Sequence, residues 1–194
     1  FVHPVNALDI QSAIKCGAKL NFTVIARSGG HSLEGYSIED RDCDLIVDLR
    51  YMNKIIMDMA IQTAIIETGN TLDTLFRSLN EHVFAFPTGE CSTASVDGII
   101  LGGGHRYLMR KFGMSSDNIL DAQIVLANRT IINHAKGYHD LFWALRGARN
   151  AGYSSLNEAK PHIQEFIKLT KSKNESCIEL DWYYANIADM TRQN

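Results

Sequence analysis

Two glycine-rich segments, 26–37 (ARSGGHSLEGYS) and 101–106 (LGGGHR), stand far apart in this chain. A glycine turn lets backbone N–H groups approach a ligand without a Cβ in the way, and consecutive N–H groups form a nest that attracts anions. Gly29, Gly30, Gly35, Gly102, Gly103 and Gly104 are therefore expected to cradle one extended, phosphate-bearing cofactor from two sides. The fold must then bring the two segments together. The first segment carries His31, and the stretch leading into the second, FPTGECST, carries Cys91. An imidazole and a thiol can each bond a cofactor covalently. Taken singly the strings are weak signals, because both lack the GxGxxG spacing of a dinucleotide fold and the lysine of a P-loop. His31 alone would read as a histidine serving loop hydrogen bonds, and Cys91 alone as a buried apolar side chain or a disulfide partner.

Periodicity predicts a mixture of helices and short strands. Residues 5–21 read as a helix with Asn6 as N-cap, Asp9 in the first turn, and Ala7, Ile10, Ile14 and Ala18 on one face. FTVIA (22–26) reads as a buried strand, and LIVDL, KIIMDM and TAIIET as further strands between turns. Leu72, Leu75, Phe76 and Leu79 form a helical stripe over 71–80. AQIVLA and TIINH predict a hairpin around Asn128 and Arg129. The expected fold class is α+β, with mixed sheets and flanking helices.

Four strings occur in order: RSGGHSLEGYS, PTGECST running on to LGGG, RKFGMSSDNILDA, and DLFWALRGA. From about Phe1 to Tyr153 the chain thereby resembles the flavin domain of berberine-bridge-enzyme-like oxidases, within the vanillyl-alcohol-oxidase (PCMH-type) FAD-binding family. The resemblance implies FAD held covalently, the 8α-methyl of the flavin on His31 and ring carbon C6 on Cys91. It implies a pyrophosphate loop of Arg27, Ser28, Gly29, Gly30, His31 and Ser32, and a cofactor-proximal segment containing Asp117 and Asn118; a turn before a strand is the other reading of that pair. It also implies that Ala94, three residues after the cysteine, influences oxygen access to the ring.

The activity implied is that of an FAD-dependent oxidoreductase. A small-molecule substrate, either a carbohydrate hydroxyl or a secondary metabolite such as an alkaloid, would give hydride to the flavin, and O2 would reoxidise it to yield H2O2. No residue is assigned as catalytic base. The alternative is a truncated, catalytically inactive flavin-binding fragment. Where the family has two glycines and a histidine, this chain has Asp97, Arg106 and Ile99, and an aspartate beside a pyrophosphate repels it unless paired. After RGARNAGY, the family's GIVTEF-type strand is replaced by a different sequence from Ser154.

Residues 1–153 are thus expected to be the FAD-binding domain, with the substrate domain largely missing. Residues 154–194 are expected to be a remnant of that substrate domain or a C-terminal flavin-domain segment, with a helix over 160–171 and a strand over 176–180. Tyr183 and Tyr184 are expected to be packing residues. The start at Phe1, just inside the family's first strand, suggests a fragment.

Sequons at Asn21, Asn128 and Asn174 point to a secreted glycoprotein. If Cys91 holds flavin, Cys16, Cys43 and Cys177 remain; a Cys16–Cys43 disulfide or a reduced pair is expected. A net charge of −3 without a basic run argues against nucleic acid or an anionic membrane as partner. The scattered histidines form no metal motif, and His134 and His139 read as surface residues.

Overall fold

Asn6 starts the first helix as expected. In the computed structural model, which describes residues 1–32, 35, 37, 42–147, 183–189 and 191–192, its Oδ1 accepts the backbone N–H groups of Leu8 and Asp9 at 2.9 and 3.0 Å. Helix α1 (Ala7–Leu20) ends at Asn21 in the left-handed region, φ 57°. Its buried face is Ile10, Ala13 and Gly17, while Ala18 is exposed. The helix is rolled from the expected face because the bare Cα of Gly17 packs against Val24 and Leu45, an approach that any side chain would block.

That roll also turns Cys16 to solvent. Cys43 too is exposed, and both are free thiols, so the reduced alternative holds and the Cys16–Cys43 disulfide does not. The expected helix over 160–171, the strand over 176–180, Ser154, Asn174, Cys177 and the side chains of Tyr183 and Tyr184 lie outside what is described.

Strands β1 (Thr23–Arg27) and β2 (Asp44–Asp48) pair in parallel, Thr23 opposite Asp44 through Arg27 opposite Asp48. Only Ile25 of β1 is fully buried, since β1 is the edge of a two-stranded sheet rather than an interior strand. Strands β3 (Ile55–Asp58) and β4 (Thr63–Glu67) form a hairpin. Helix α2 (Leu72–Glu81) buries Leu72, Leu75 and Leu79 of the expected stripe, with its fourth member Phe76 half-buried, and is followed by the short strand β5 (Phe84–Ala85). Helices α3 (Val96–Leu101) and α4 (Met109–Phe112) and a 3₁₀ turn (Ser115–Asn118) lead into β6 (Ile119–Val125). Strand β7 (Ile131–Ile132) closes the expected hairpin around Asn128 and Arg129, and α5 (His139–Leu145) follows.

Two strands from the tail complete the sheets. Strand β8 (Tyr183–Asp189) lies between β4 and β6, antiparallel to both, giving the order β3-β4-β8-β6-β7. Strand β9 (Thr191–Arg192) pairs with β5. The main core packs Ile66, Ile119 and Ile124 against Leu72, Leu75, Val96, Ile100, Leu141 and Leu145. A second cluster joins Ile10 and Ala13 of α1 to Val47, Leu49, Met52 and Val125.

Two buried carboxylates tie these layers together. Asp48, fully buried, accepts Arg50 Nε at 3.0 Å and Nη2 at 2.6 Å. Asp121 accepts the amides of Ala122 and Lys136 at 2.8 and 3.0 Å and faces His134 Nδ1 at 3.0 Å, so this surface histidine has a buried partner. Burial works to raise both carboxyls. For Asp48 the Arg50 bonds and the Arg27 charge outweigh it; for Asp121 the two amides and His134 do. Both are held below the ordinary carboxylate range.

A depressed carboxyl stabilises the fold above its unfolded-state pKa, about 4, and that stability is lost as pH falls through the lower folded values. Thermal midpoints are therefore expected to be flat from neutral pH down to about 5 and to fall in acid, less steeply in Asp121→Asn. Asp48→Asn should cost about 2 kcal/mol in urea unfolding, because it leaves Arg50 and Arg27 without their carboxylate.

Candidate functional site

Loop 28–31 leaves the C-terminal end of β1 and lies directly on residues 93–95. A Cβ on Gly29 would stand 2.7 Å from Ser95 N and 3.3 Å from Thr93 O, so only glycine permits this contact. The loop is held from below by a chain of polar contacts. Ser28 Oγ donates to Thr68 O at 2.5 Å, and Thr68 Oγ1 donates to Asp97 Oδ2 at 2.7 Å. Asp97 Oδ1 accepts Gly98 N at 2.6 Å. The aspartate that replaces a family glycine is thus buried, and a hydroxyl and an amide satisfy its carboxylate.

Segment 91–95 is anchored just as closely. Leu72 N donates to Ala94 O and Asp73 N to Ser92 O, both at 2.9 Å, and Val96 N donates to Asn70 O at 3.0 Å. Ala94 is buried, and its N–H closes a turn onto Cys91 O at 3.0 Å. These bonds present the two reactive side chains side by side. Thr93 Oγ1 lies 2.9 Å from His31 Nε2 and 3.4 Å from Cys91 Sγ, one hydroxyl joining both. His31 and Cys91 are exposed, and Ser32 is half-buried. The Thr93 hydroxyl, with the amides of Thr93 and Ala94, holds the Cys91 thiol below its ordinary range.

The second glycine segment does structural work. The N–H groups of Gly102 and Gly103 donate to Ile99 O and Ile100 O, ending α3, while Gly103 O and Gly104 O accept Ser116 N and Ser115 N. Gly104, at φ 69°, has Ser115 Oγ where a side chain would be. Ser115 Oγ in turn donates to Pro87 O at 2.6 Å. Asp117 and Asn118 shape the turn before β6: Asp117 Oδ2 accepts Met114 N at 2.8 Å, and Asn118 Nδ2 donates to Phe112 O and Met114 O. Their other reading, a turn before a strand, describes these contacts. Gly102 and Gly104 nevertheless border a cleft of about 690 Å³, together with Gly89, Glu90, Gly98, Ile99, His105, Arg106 and Arg110.

Sequence reasoning passed over four contributors. Thr93 and Thr68 sit in polar strings where one hydroxyl looks like another. Arg146, within DLFWALRGA, donates to Ser116 O at 2.7 Å and so clamps the turn. Arg106 stood out only as a missing glycine; it donates to Gly89 O at 3.1 Å, lies 3.8 Å from Glu90, and stacks over Phe76. Among the described residues no cluster of His, Cys, Asp and Glu suits a metal ion, and no helix is long and apolar enough to cross a membrane.

The loop contact gives a direct test. Gly29→Ala should push loop 28–31 away from Ser95, costing about 1–3 kcal/mol in unfolding. It should also part His31 from Thr93, seen as a changed histidine resonance, whereas Gly137→Ala, with nothing within 4 Å, should do neither.

Residues 1–134 match the family model described as "FAD binding domain". Berberine bridge enzyme-like 18 of Arabidopsis thaliana is 31% identical over 194 residues, covering 96% of this chain and 36% of that protein. The structure of Physcomitrella patens BBE-like 1 superposes with a TM-score of 0.77 at 28% identity, over 98% of this chain and 36% of that one. A berberine bridge enzyme variant in complex with (S)-reticuline superposes with a TM-score of 0.75 at 28% identity, over 98% and 33%. The chain spans about a third of the length of these relatives. Sequence and fold agree with them, and the chain belongs to the berberine-bridge-enzyme-like family of FAD-binding-domain proteins.

Proposed function

We propose that this chain is the flavin-holding part of an FAD-dependent oxidoreductase that carries its cofactor covalently on His31 and Cys91. The observation that carries the reading is the juxtaposition of these two nucleophiles through the Thr93 hydroxyl. Three features suit FAD. Arg27 Nε is buried beside Gly30 with no hydrogen-bond partner among the described residues, an unmet donor that an anionic group would satisfy. The thiol of Cys91 is biased toward its nucleophilic form and open to a ligand. The adjoining cleft is of cofactor size and carries Arg106 and Arg110.

In this reading Arg27, Ser28, Gly29, Gly30 and Ser32 take the phosphates, and Gly102, Gly103 and Gly104 form the opposite wall. Asp117 and Asn118 act from behind that wall by fixing the turn on which it rests. Ala94, small and buried, leaves space beside the ring for O2. The bound group would supply hydride acceptance from a substrate C–H, with O2 as the final acceptor and H2O2 as product. The protein's part is to fix that group's orientation, since two attachments remove most of its freedom. The substrate is proposed to be a carbohydrate or similar alcohol. Reticuline, held by the berberine bridge enzyme variant, exemplifies the alternative of a secondary metabolite. The exposed sequons Asn21 and Asn128 fit a proposed secretory location.

A second reading, flavin held without turnover, is favoured by the exposure of His31 and Cys91, which leaves water at the same edge.

The test is the visible spectrum of the purified chain before and after acid precipitation, with intact masses of wild type, His31→Ala, Cys91→Ala and the double variant. Colour that stays with the precipitate, and a flavin-sized mass increment lost only when both residues are replaced, is the expected result. Colour released into the supernatant overturns covalent attachment. Substrate-dependent H2O2 from the loaded chain separates the oxidase from the inactive holder.

A further inference from the structure

The three exposed thiols of the described chain do not have equal surroundings. Cys16 stands on the solvent face of α1 and Cys43 precedes β2, whereas Cys91 has a hydroxyl at 3.4 Å that also reaches an imidazole at 2.9 Å. We propose that Thr93 is a positioning residue that relays the proton of the Cys91 thiol to His31, so that its hydroxyl prepares Cys91 as the thiolate.

The relay follows from the donor and acceptor inventory. A thiol donates weakly, a hydroxyl donates once and accepts, and a neutral imidazole accepts at one nitrogen. The three groups form the line Cys91 S–H to Thr93 Oγ1, and Thr93 O–H to His31 Nε2. When the S–H bond breaks, its proton joins Thr93 Oγ1 as the threonine's own proton joins Nε2. The products are a thiolate and an imidazolium, with Thr93 unchanged and the total charge the same. The reversed line then holds: imidazolium N–H to Oγ1, and O–H to the thiolate.

The surroundings allow this. Thr93 itself is fixed by its neighbours, with Ser92 O and Ala94 O bonded to the start of α2 and the Gly29 contact setting the His31 loop on top of it. The neighbouring carboxylates are paired: Glu90, next to Cys91, lies 3.8 Å from Arg106, and Asp73 lies 2.9 Å from Arg77, while Arg27 lies beside the loop's Gly30 with Asp48 at 3.9 Å. His31 is the titratable group that shares a hydrogen-bond partner with the thiol. The Thr93 hydroxyl and the neighbouring amides favour the thiolate, in agreement with the relay.

The consequence for flavin attachment rests on the covalent reading above; the thiol chemistry does not. The experiment is site-resolved labelling by iodoacetamide across pH, read by peptide mass on the full chain, for wild type, Thr93→Val, Thr93→Ser and His31→Ala. Cys16 and Cys43 serve as internal references. In wild type the midpoint for Cys91 is expected below those of the other two, with several-fold faster labelling near neutral pH. Thr93→Val and His31→Ala should each move the Cys91 midpoint up, and Thr93→Ser should restore it. Thermal unfolding transitions like that of wild type show that the variants are folded, and Cys16 and Cys43 control for the reagent.

A Cys91 midpoint that is the same in wild type and Thr93→Val overturns the proposal, as does failure of Thr93→Ser to restore it. Incubation of the same proteins with FAD, followed by intact mass, separates the two ideas. Flavin attached in wild type with an insensitive labelling profile defeats the relay and leaves the covalent reading standing. The expected profile with no attached flavin defeats the covalent reading and leaves the relay standing.

Discussion

A chain of hydrogen bonds from Ser28 through Thr68 to the buried Asp97 holds this molecule's site together. It joins the loop after β1, the residue after β4 and the first turn of α3, three pieces far apart in sequence. The Thr68–Asp97 bond is buried, where an unmet polar group costs about 1–3 kcal/mol, and the Ser28–Thr68 bond is part-buried. The three pieces therefore move as one or lose the whole set. Asp97 is the part that the chemistry of phosphates would have rejected. Its carboxylate faces inward to a hydroxyl and an amide, so its charge serves the frame of the site rather than opposing the cofactor. An unpaired aspartate at the same position would repel a pyrophosphate; the hydrogen bonds decide the matter by orientation.

Upon that frame, close backbone contact places the chemistry. Gly29 brings the His31 loop onto Ser95, and Gly104 admits Ser115. The two contacts have different outcomes. The first sets an imidazole beside a thiol, with Thr93 between them. The second spends glycine's lack of a side chain on packing: Ser115, Ser116 and Arg146 behind Gly103 and Gly104 form a stiff backing to the cleft. A glycine triplet read as an anion nest is thus first a packing seam, and only its outer side is open to a ligand.

Much of this was legible in the sequence. Asn6 as a cap, the Leu72–Leu75–Leu79 stripe and the hairpin at Asn128 each follow from local chemistry, and each is present. The partnership of His31 with Cys91 was legible because both stand in glycine loops of a family pattern. Thr93 was not, since a threonine two residues after a cysteine becomes a bridge only when a distant loop supplies the histidine. The face of α1 was misjudged for a similar reason. Periodicity counts side chains, and Gly17 contributes through having none.

The position of β8 was the least legible feature, and it joins the strands from which both backings of the site extend. Thr68, which supports the His31 loop, follows β4; the Ser115–Asn118 turn, which backs the glycine triplet, precedes β6. Because β8 is antiparallel to both, β4 and β6 run parallel to each other, so Thr68 stands beyond the end of β4 while the Ser115–Asn118 turn stands before the start of β6, at opposite ends of the sheet. Pairing β8 with both strands requires contacts between residues remote in sequence, which form late because chain closure must precede their gain. The local elements, α2 with its capping threonine and the β6–β7 hairpin, can form beforehand. On this physical order the reactive pair depends mainly on contacts around β4, α2 and α3, and the sheet is completed only when the tail strand enters between β4 and β6.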